Sequence, residues 1–365
     1  MSLASRISLG SVCDYRQAAD YLKKALVFGI TGQDGSYLAK LLLRKGYQVY
    51  GTHRNPAFPD FWRLRYLGIQ DEVSLLPLEV FNKESLAKAV NLSQPDEIYN
   101  LASQSTVKAS FDDPTTSDEV TGSRVTMILE AIRRIDPRIR FFQASSREVF
   151  GRHGQGRRNE SSHIRPESPY AAAKAYAGWL VNIYREKHGI FACNGILFNH
   201  ESPLRGLEFV TRKISDAVAR ISLGMADSLE LGSLDVRRDW GYAGDYVEAM
   251  WLMLQDQSPD DMVIATGETH TVREFLRKAF GLVGLDWKRH VVSSLSEDTG
   301  GKGGAISGDI SRIKSRLGWQ PETGFDQLIE MMVKEDVARW QRWLQGEIFP
   351  WDIDPGPVPC SSRTP

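Results

Sequence analysis

Cysteine is scarce: this 365-residue chain carries three, Cys13, Cys193 and Cys360. They are too few for a disulfide framework and too far apart for a Cys-x-x-Cys ligand pair, which points to a reducing compartment. An excess of one charge is also missing. Lys and Arg total 45 against 46 Asp and Glu, a formal net charge of −1, so the basic surplus that draws non-specific nucleic acid is absent and an anionic ligand must meet a local site. No run of about 18 apolar residues offers a membrane span. The first 22 residues carry Arg6, Asp14, Arg16 and Asp20 where a signal peptide needs an apolar stretch. His188, His270 and His290 show no metal-ligand spacing, so no metal is expected. These absences predict a cytoplasmic protein without nucleic-acid or membrane partners. What is present is ample core material, 42% hydrophobic against 25% charged residues, enough for a globular α/β protein.

Short apolar runs alternate with helical periodicity. Ala25-Leu26-Val27-Phe28 ends in glycines, and Tyr37, Leu38, Leu41 and Leu42 follow at helical spacing until Gly46. Further strand-like runs are Gln48–Thr52, Val73–Leu76, Glu97–Asn100 and Arg140–Ala144. Strands separated by helices predict a doubly wound parallel Rossmann sheet with both faces covered. The expected organisation is an N-terminal extension over 1–22, a Rossmann domain over 23–197, and a smaller C-terminal lobe mainly over 198–349, some of whose segments return to the first domain. Residues 350–365 hold five prolines and read as an extended tail. Helices are predicted at Phe209–Leu223, Val272–Val283 and Phe325–Trp343. Tyr176, Trp179 and Trp240 read as packing residues.

Gly29-Ile30-Thr31-Gly32-Gln33-Asp34-Gly35 lies between the first strand and the first helix. There a tight turn lets backbone N–H groups and the helix dipole face a pyrophosphate, and glycine admits the close approach. The second strand ends in His53 and Arg54 rather than an acidic residue, which favours a 2′-phosphorylated dinucleotide, NADP, over NAD.

Tyr170 and Lys174 stand four residues apart after Pro169, so phenol and ammonium share one helical face. The ammonium is expected to lower the phenol's pKa, letting it take a proton from a substrate hydroxyl while the adjacent carbon gives up hydride. The segment Ala144-Ser145-Ser146-Arg147-Glu148 falls where the sheet's carboxyl edge opens. The Ser146 hydroxyl can bond the reacting oxygen. The Glu148 carboxylate can remove a carbon-bound proton next to a ketone, which adds elimination to oxidation.

These motifs, with Tyr99–Ser105 (YNLASQS), Ser168–Lys174 (SPYAAAK), Ala192–Pro203 (ACNGILFNHESP), Phe209–Ile214 (FVTRKI) and Arg238–Gly241 (RDWG), resemble the extended short-chain dehydrogenase/reductase superfamily, and within it the GDP-mannose 4,6-dehydratases. The resemblance runs from about Ala25 to Trp343. It implies an NADP-dependent nucleotide-sugar 4,6-dehydratase, a hydro-lyase that oxidises C4, eliminates water across C5 and C6 and returns the hydride to C6. The implied catalytic residues are Ser146, Glu148, Tyr170 and Lys174. Gly29 to Gly35, Arg54, Glu79, Val80, Leu101, Ala102, Ser103, Gln104, Ser105, Lys174, His200 and Arg205 would hold the cofactor. Ser105, Asn199, Lys213 and Arg238 would meet the nucleotide-sugar. Relatives form dimers and tetramers, which implies a homo-oligomer.

The chain also departs from that pattern. Asp298–Ser307 is glycine-rich where the family carries an arginine and glutamates near the guanosine, so the base stays open. Arg147 replaces a small or acidic residue and, if it points inward, sets a cation beside Glu148 that weakens it as a base. Two alternatives remain: a 4-epimerase or 4-keto reductase of the same superfamily, favoured if Glu148 cannot reach C5, and a dinucleotide-binding protein without turnover.

Overall fold

The computed structural model describes residues 22–53, 61–79, 82–104, 106–152, 154–293 and 304–347. Arg54, Val80, Ser105, nearly all of the N-terminal extension, the proline-rich tail and residues 298–303 of the glycine-rich run lie outside them.

Seven strands form the central sheet: β1 (Lys24–Phe28), β2 (Gln48–His53), β3 (Ser74–Pro77), β4 (Glu97–Asn100), β5 (Arg140–Ser146), β6 (Ala192–Leu197) and β7 (Asp261–Ile264). Their order is β3-β2-β1-β4-β5-β6-β7, and every ladder is parallel. The chain therefore has the Rossmann architecture that its alternating pattern predicts. The winding reverses beside β1, whose neighbours are β2 on one side and β4 on the other. That reversal opens a crevice above the strands' carboxyl ends.

The longer helices are α1 (Gln33–Arg44), α2 (Lys83–Ser93), α3 (Arg124–Ile135), α4 (Pro169–His188), α5 (Val210–Ser222), α6 (Ala243–Gln255), α7 (Val272–Leu282) and α8 (Phe325–Leu344). Along β1, Ala25 and Val27 pack toward α1 and α6, while Leu26 and Phe28 pack toward α2, α3 and α4. A strand buried on both faces has no room for polar alternation, which is why it reads as a continuous apolar run. A further core joins α5, α7 and α8 around Leu229, Leu231 and Trp240. Between α5 and α7 the chain returns to the sheet as α6 and β7.

Helix α4 carries Tyr170 and Lys174. Its first N–H groups are capped by the Ser168 side chain, which accepts from the Ala171 amide at 3.1 Å, and Pro169 fits the first turn where no amide partner is needed. Gly189, at φ +66°, ends the helix in the left-handed conformation that glycine adopts freely. Ala171, Ala173, Ala175 and Ala177 are buried, so the helix lies close on its neighbours. Trp240 packs inside as expected, but Tyr176 and Trp179 do not: they are exposed, together with Ile183 on the same face. Among the described residues no helix is long and apolar enough to cross a membrane.

Candidate active site

A cleft of about 650 Å³ lies over the carboxyl ends of β1, β2, β4, β5 and β6. Gly29, Thr31, Gly32, Gln33, Asp34 and Gly35 form one wall, Leu101, Ala102 and Ser103 another, and Ser146, Glu148, Tyr170, Lys174, Asn199, His200 and Arg205 line the rest. The glycine turn is closed by the Gly32 amide donating to Gly29 O at 3.1 Å. At two of its glycines a side chain has no space. A Cβ on Gly29, which adopts φ +84°, would meet the Ala102 amide nitrogen at 2.9 Å, and one on Gly35 would lie 2.2 Å from Gly29 O. These contacts let β1 lead into α1 tightly enough for the helix N-terminus to face the cleft.

Asp34 and His200 join that turn to the far wall. The imidazole Nδ1 lies 2.7 Å from Phe198 O and Nε2 lies 2.8 Å from Asp34 Oδ2. Carbonyl and carboxylate oxygens only accept, so both ring nitrogens donate and His200 is an imidazolium. Burial alone would push the Asp34 carboxyl up. The His200 charge and hydrogen bond, with Gln33 and Arg205, outweigh it and hold the carboxyl down at about 2. Burial likewise works against the His200 cation, yet Asp34 raises its pKa above the ordinary value. Gln33 extends the link, donating to His200 O at 3.2 Å and accepting from the Ser202 hydroxyl at 2.7 Å.

The pair makes stability depend on pH in a defined sense. The His200 contribution is complete below about 6.5 and is lost as pH rises through the raised folded value, whereas the Asp34 contribution is lost only as pH falls from about 4 toward 2. The Asp34 shift corresponds to about 2 kcal/mol at neutral pH. Melting temperature measured against pH should therefore decline on the alkaline side in the wild type. His200→Gln should start lower near neutrality and lose that alkaline slope.

Around the reacting groups, the Lys174 ammonium donates to Ala144 O at 2.8 Å and sits 5.6 Å from the Tyr170 ring centroid. Burial lowers Lys174 to about 8, against the Asp34 charge that supports the cation. Burial also pushes the Tyr170 phenol up to about 12; the Ser146 hydroxyl and Arg205 pull it down, and the charges of Glu148 and Asp34 push it further up. The expected lowering by the neighbouring ammonium is thus absent, because desolvation dominates and the lysine spends a hydrogen bond on the β5 backbone. Ser146 also fixes the turn after β5, its hydroxyl accepting from the Glu148 amide at 3.2 Å. Arg147 faces inward: it lines the cleft, is buried, and its Nη2 lies 3.2 Å from Glu148 Oε1.

The GDP-mannose 4,6-dehydratase family model matches residues 26–332. GDP-mannose 4,6 dehydratase 1 from Arabidopsis thaliana is 46% identical over 88% of this chain and 91% of its own length. The chain belongs to the GDP-mannose 4,6-dehydratase family. Solved structures share its fold at low identity. RMD from Pseudomonas aeruginosa, complexed with NADPH, superposes with a TM-score of 0.73 at 21% identity, covering 87% of this chain and 99% of that one. The dTDP-glucose 4,6-dehydratase from Bacillus anthracis, in complex with NAD, gives a TM-score of 0.75 at 20% identity, covering 89% and 100%.

Several positions that the dehydratase pattern suggested lie outside the cleft wall. Ile30 is buried beneath the turn, where its side chain fills the space that a Cβ on Gly51 would need. Gln104 is engaged with the Ser117 hydroxyl and Ala109 O. Glu79 is exposed and accepts from Asn82 Nδ2 at 2.9 Å. Lys213 turns away and donates to Glu230 O at 2.8 Å. Arg238 is not in the wall either, but burial and then Arg147 lower its guanidinium to about 10 while Glu148 pulls the other way, which places it within electrostatic reach of those two residues. The cleft also holds two cations that the motifs did not single out. Arg63 donates to Leu204 O at 2.9 Å and Thr31 O at 3.3 Å, and Arg124 opens α3, buried at the cleft. Arg63 follows a stretch without periodicity, and an arginine opening an otherwise ordinary amphipathic helix carries no local signal.

Proposed function

We propose that this chain dehydrates GDP-mannose to the 4-keto-6-deoxy sugar, with NADP as the bound dinucleotide. The observation that carries the reading is the placement of a carboxylate, Glu148, in one cleft with Tyr170, Ser146 and Lys174, beside a glycine turn at a helix N-terminus. A 4-epimerase or 4-keto reductase has no need of a carboxylate that can reach C5.

The residues fit a dinucleotide. At Gly29 and Gly35 the turn packs directly on backbone with no room for a side chain, and α1 presents its N-terminus to an anion there. Gly29, Thr31, Gly32, Gln33, Asp34 and Gly35 would hold the pyrophosphate, and Leu101, Ala102 and Ser103 the nicotinamide end. Thr52 and His53 end β2 at the cleft without a carboxylate, which supports NADP over NAD. Oxidised NADP supplies a hydride acceptor and a positive charge, and the same hydride is available again once C6 has lost its oxygen.

Tyr170, as the phenolate, takes the O4 proton while Ser146 bonds the same oxygen. Lys174 keeps a cation behind the phenol, anchored on Ala144 O. The resulting 4-ketone acidifies C5–H, and Glu148 removes that proton and passes it to the C6 hydroxyl, which leaves as water; C5 takes a proton back when hydride is delivered to C6. Asn199 lines the cleft with its Oδ1 buried and without a hydrogen-bond partner among the described residues, which supports a substrate contact. Arg238 would meet the diphosphate.

Incubation with GDP-mannose and NADP, without added reductant, tests the reading. The expected product is a 4-keto-6-deoxy sugar formed with loss of one water. A product that keeps its C6 oxygen overturns it.

The exposed α4 face of Tyr176, Trp179 and Ile183 supports the expected homo-oligomer, since large apolar side chains three and four residues apart form one stripe. Trp179→Glu should reduce the mass measured by light scattering, with the far-ultraviolet circular dichroism spectrum unchanged. The scarcity of cysteine supports a cytoplasmic setting.

A further inference from the structure

Arg147 is not needed by any step above, yet the structure buries it at the centre of the chemistry. It stands between Ser146 and Glu148 on the turn after β5, only 6% exposed, and lines the same cleft as both. A guanidinium taken out of water requires a compensating charge. Among the described residues the carboxylate paired with it is Glu148, at 3.2 Å, and its Nε is buried with no hydrogen-bond partner.

The other charges around this corner are unevenly distributed. Arg238, on the short strand Arg237–Arg238 that pairs with His270–Thr271, is near enough to feel Arg147, Glu148 and Arg152 together. From α4, the Tyr170 phenol faces Glu148; Asp34 on α1 and Arg205 beyond β6 act on that phenol from the opposite wall. Glu148 is itself about one-fifth open to solvent, enough for its carboxylate to meet a substrate. A base at this position must keep its carboxylate on the substrate and not let it rotate away toward solvent or toward Arg238.

We propose that Arg147 is a positioning residue: its guanidinium, itself buried, pins Glu148 by Oε1 so that the carboxylate is held toward C5 when the 4-ketone forms. The inference rests on the reading of Glu148 as the C5 base. A base held in one orientation is already near the proton it removes, whereas a freely rotating one is not.

The test uses the full-length protein with GDP-mannose and NADP, following kcat and KM for dehydration and, separately, solvent-deuterium incorporation at C5. Arg147→Ser should lower kcat and C5 exchange about tenfold while KM changes little and the reduced-nicotinamide signal of C4 oxidation persists. Arg147→Lys keeps the charge and should restore most of both rates. A residue that merely fills space would not be rescued by lysine, and its replacement by a side chain of similar volume would leave both rates in place. If the serine variant does not fold, Arg147→Met keeps the volume and carries the same expectation. An active wild type whose Arg147→Ser or Arg147→Met variant retains kcat and C5 exchange, or whose lysine variant is as impaired as these, overturns this inference alone. A wild type that never removes the C6 oxygen overturns the reading of Glu148 and this inference with it.

Discussion

Glu148→Gln should leave C4 oxidation running while dehydration falls by about 10²- to 10⁴-fold, the range that a positioned general base contributes. The amide keeps the size of the carboxylate and can still accept a hydrogen bond from Arg147, whose Nη2 lies 3.2 Å from Glu148 Oε1. It cannot take a proton from C5. The variant should therefore stall after the ketone has formed, and two signals should separate in a single turnover. The absorbance of reduced nicotinamide should rise and persist, whereas in the wild type it is transient. Solvent deuterium should not enter C5. A glutamine variant that dehydrates within a few-fold of the wild type would remove Glu148 from the chemistry and with it the distinction from an epimerase.

Tyr170→Phe should block the earlier step. Without a phenolate the O4 proton loses its acceptor, and both reduced-nicotinamide absorbance and dehydration should fall by about 10²- to 10⁴-fold. The ring is buried and phenylalanine occupies the same space, so the melting temperature should change little. The wild type also carries a pH signature. Burial pushes the phenol up to about 12, with Ser146 pulling against it, so the phenolate is scarce at neutral pH and becomes more abundant as pH rises. The rate of C4 oxidation should accordingly climb toward alkaline pH, and a Ser146→Ala variant should need a still higher pH for the same rate. A phenylalanine variant that still oxidises C4 would contradict the assignment.

Much of the fold was legible because β1 and β4 are buried on both faces and α7 and α8 carry strong helical periodicity. Val272–Val283 and Phe325–Trp343 were expected as helices, and the structure has Val272–Leu282 and Phe325–Leu344. The Tyr170–Lys174 spacing was equally readable, since the Ser168 cap fixes where the helix begins. What local pattern could not give was side-chain direction. Alanines on the inner side of α4 place Tyr176 and Trp179 outside, against the expectation that they pack inside. The same limit applies to charge. Lys213 and Glu79 fall on matching motif positions but find partners of their own, Glu230 O and Asn82, whereas Arg63 and Arg124 reach the cleft from segments without a motif. Whether Arg147 turned inward could be decided only once the turn after β5 and the strand pair carrying Arg238 were both in place. The pKa of Tyr170 followed from burial rather than from its spacing to Lys174, because desolvation depends on everything packed around the ring.

The central claim is that one hydrogen leaves C4 and returns to the same sugar at C6. GDP-mannose deuterated at C4 tests it directly, with product analysed by mass spectrometry and proton NMR. The account predicts that the deuterium is retained and found on C6 of the 4-keto-6-deoxy product. Deuterium lost to solvent, or still on C4 of a sugar that keeps its C6 hydroxyl, would contradict it.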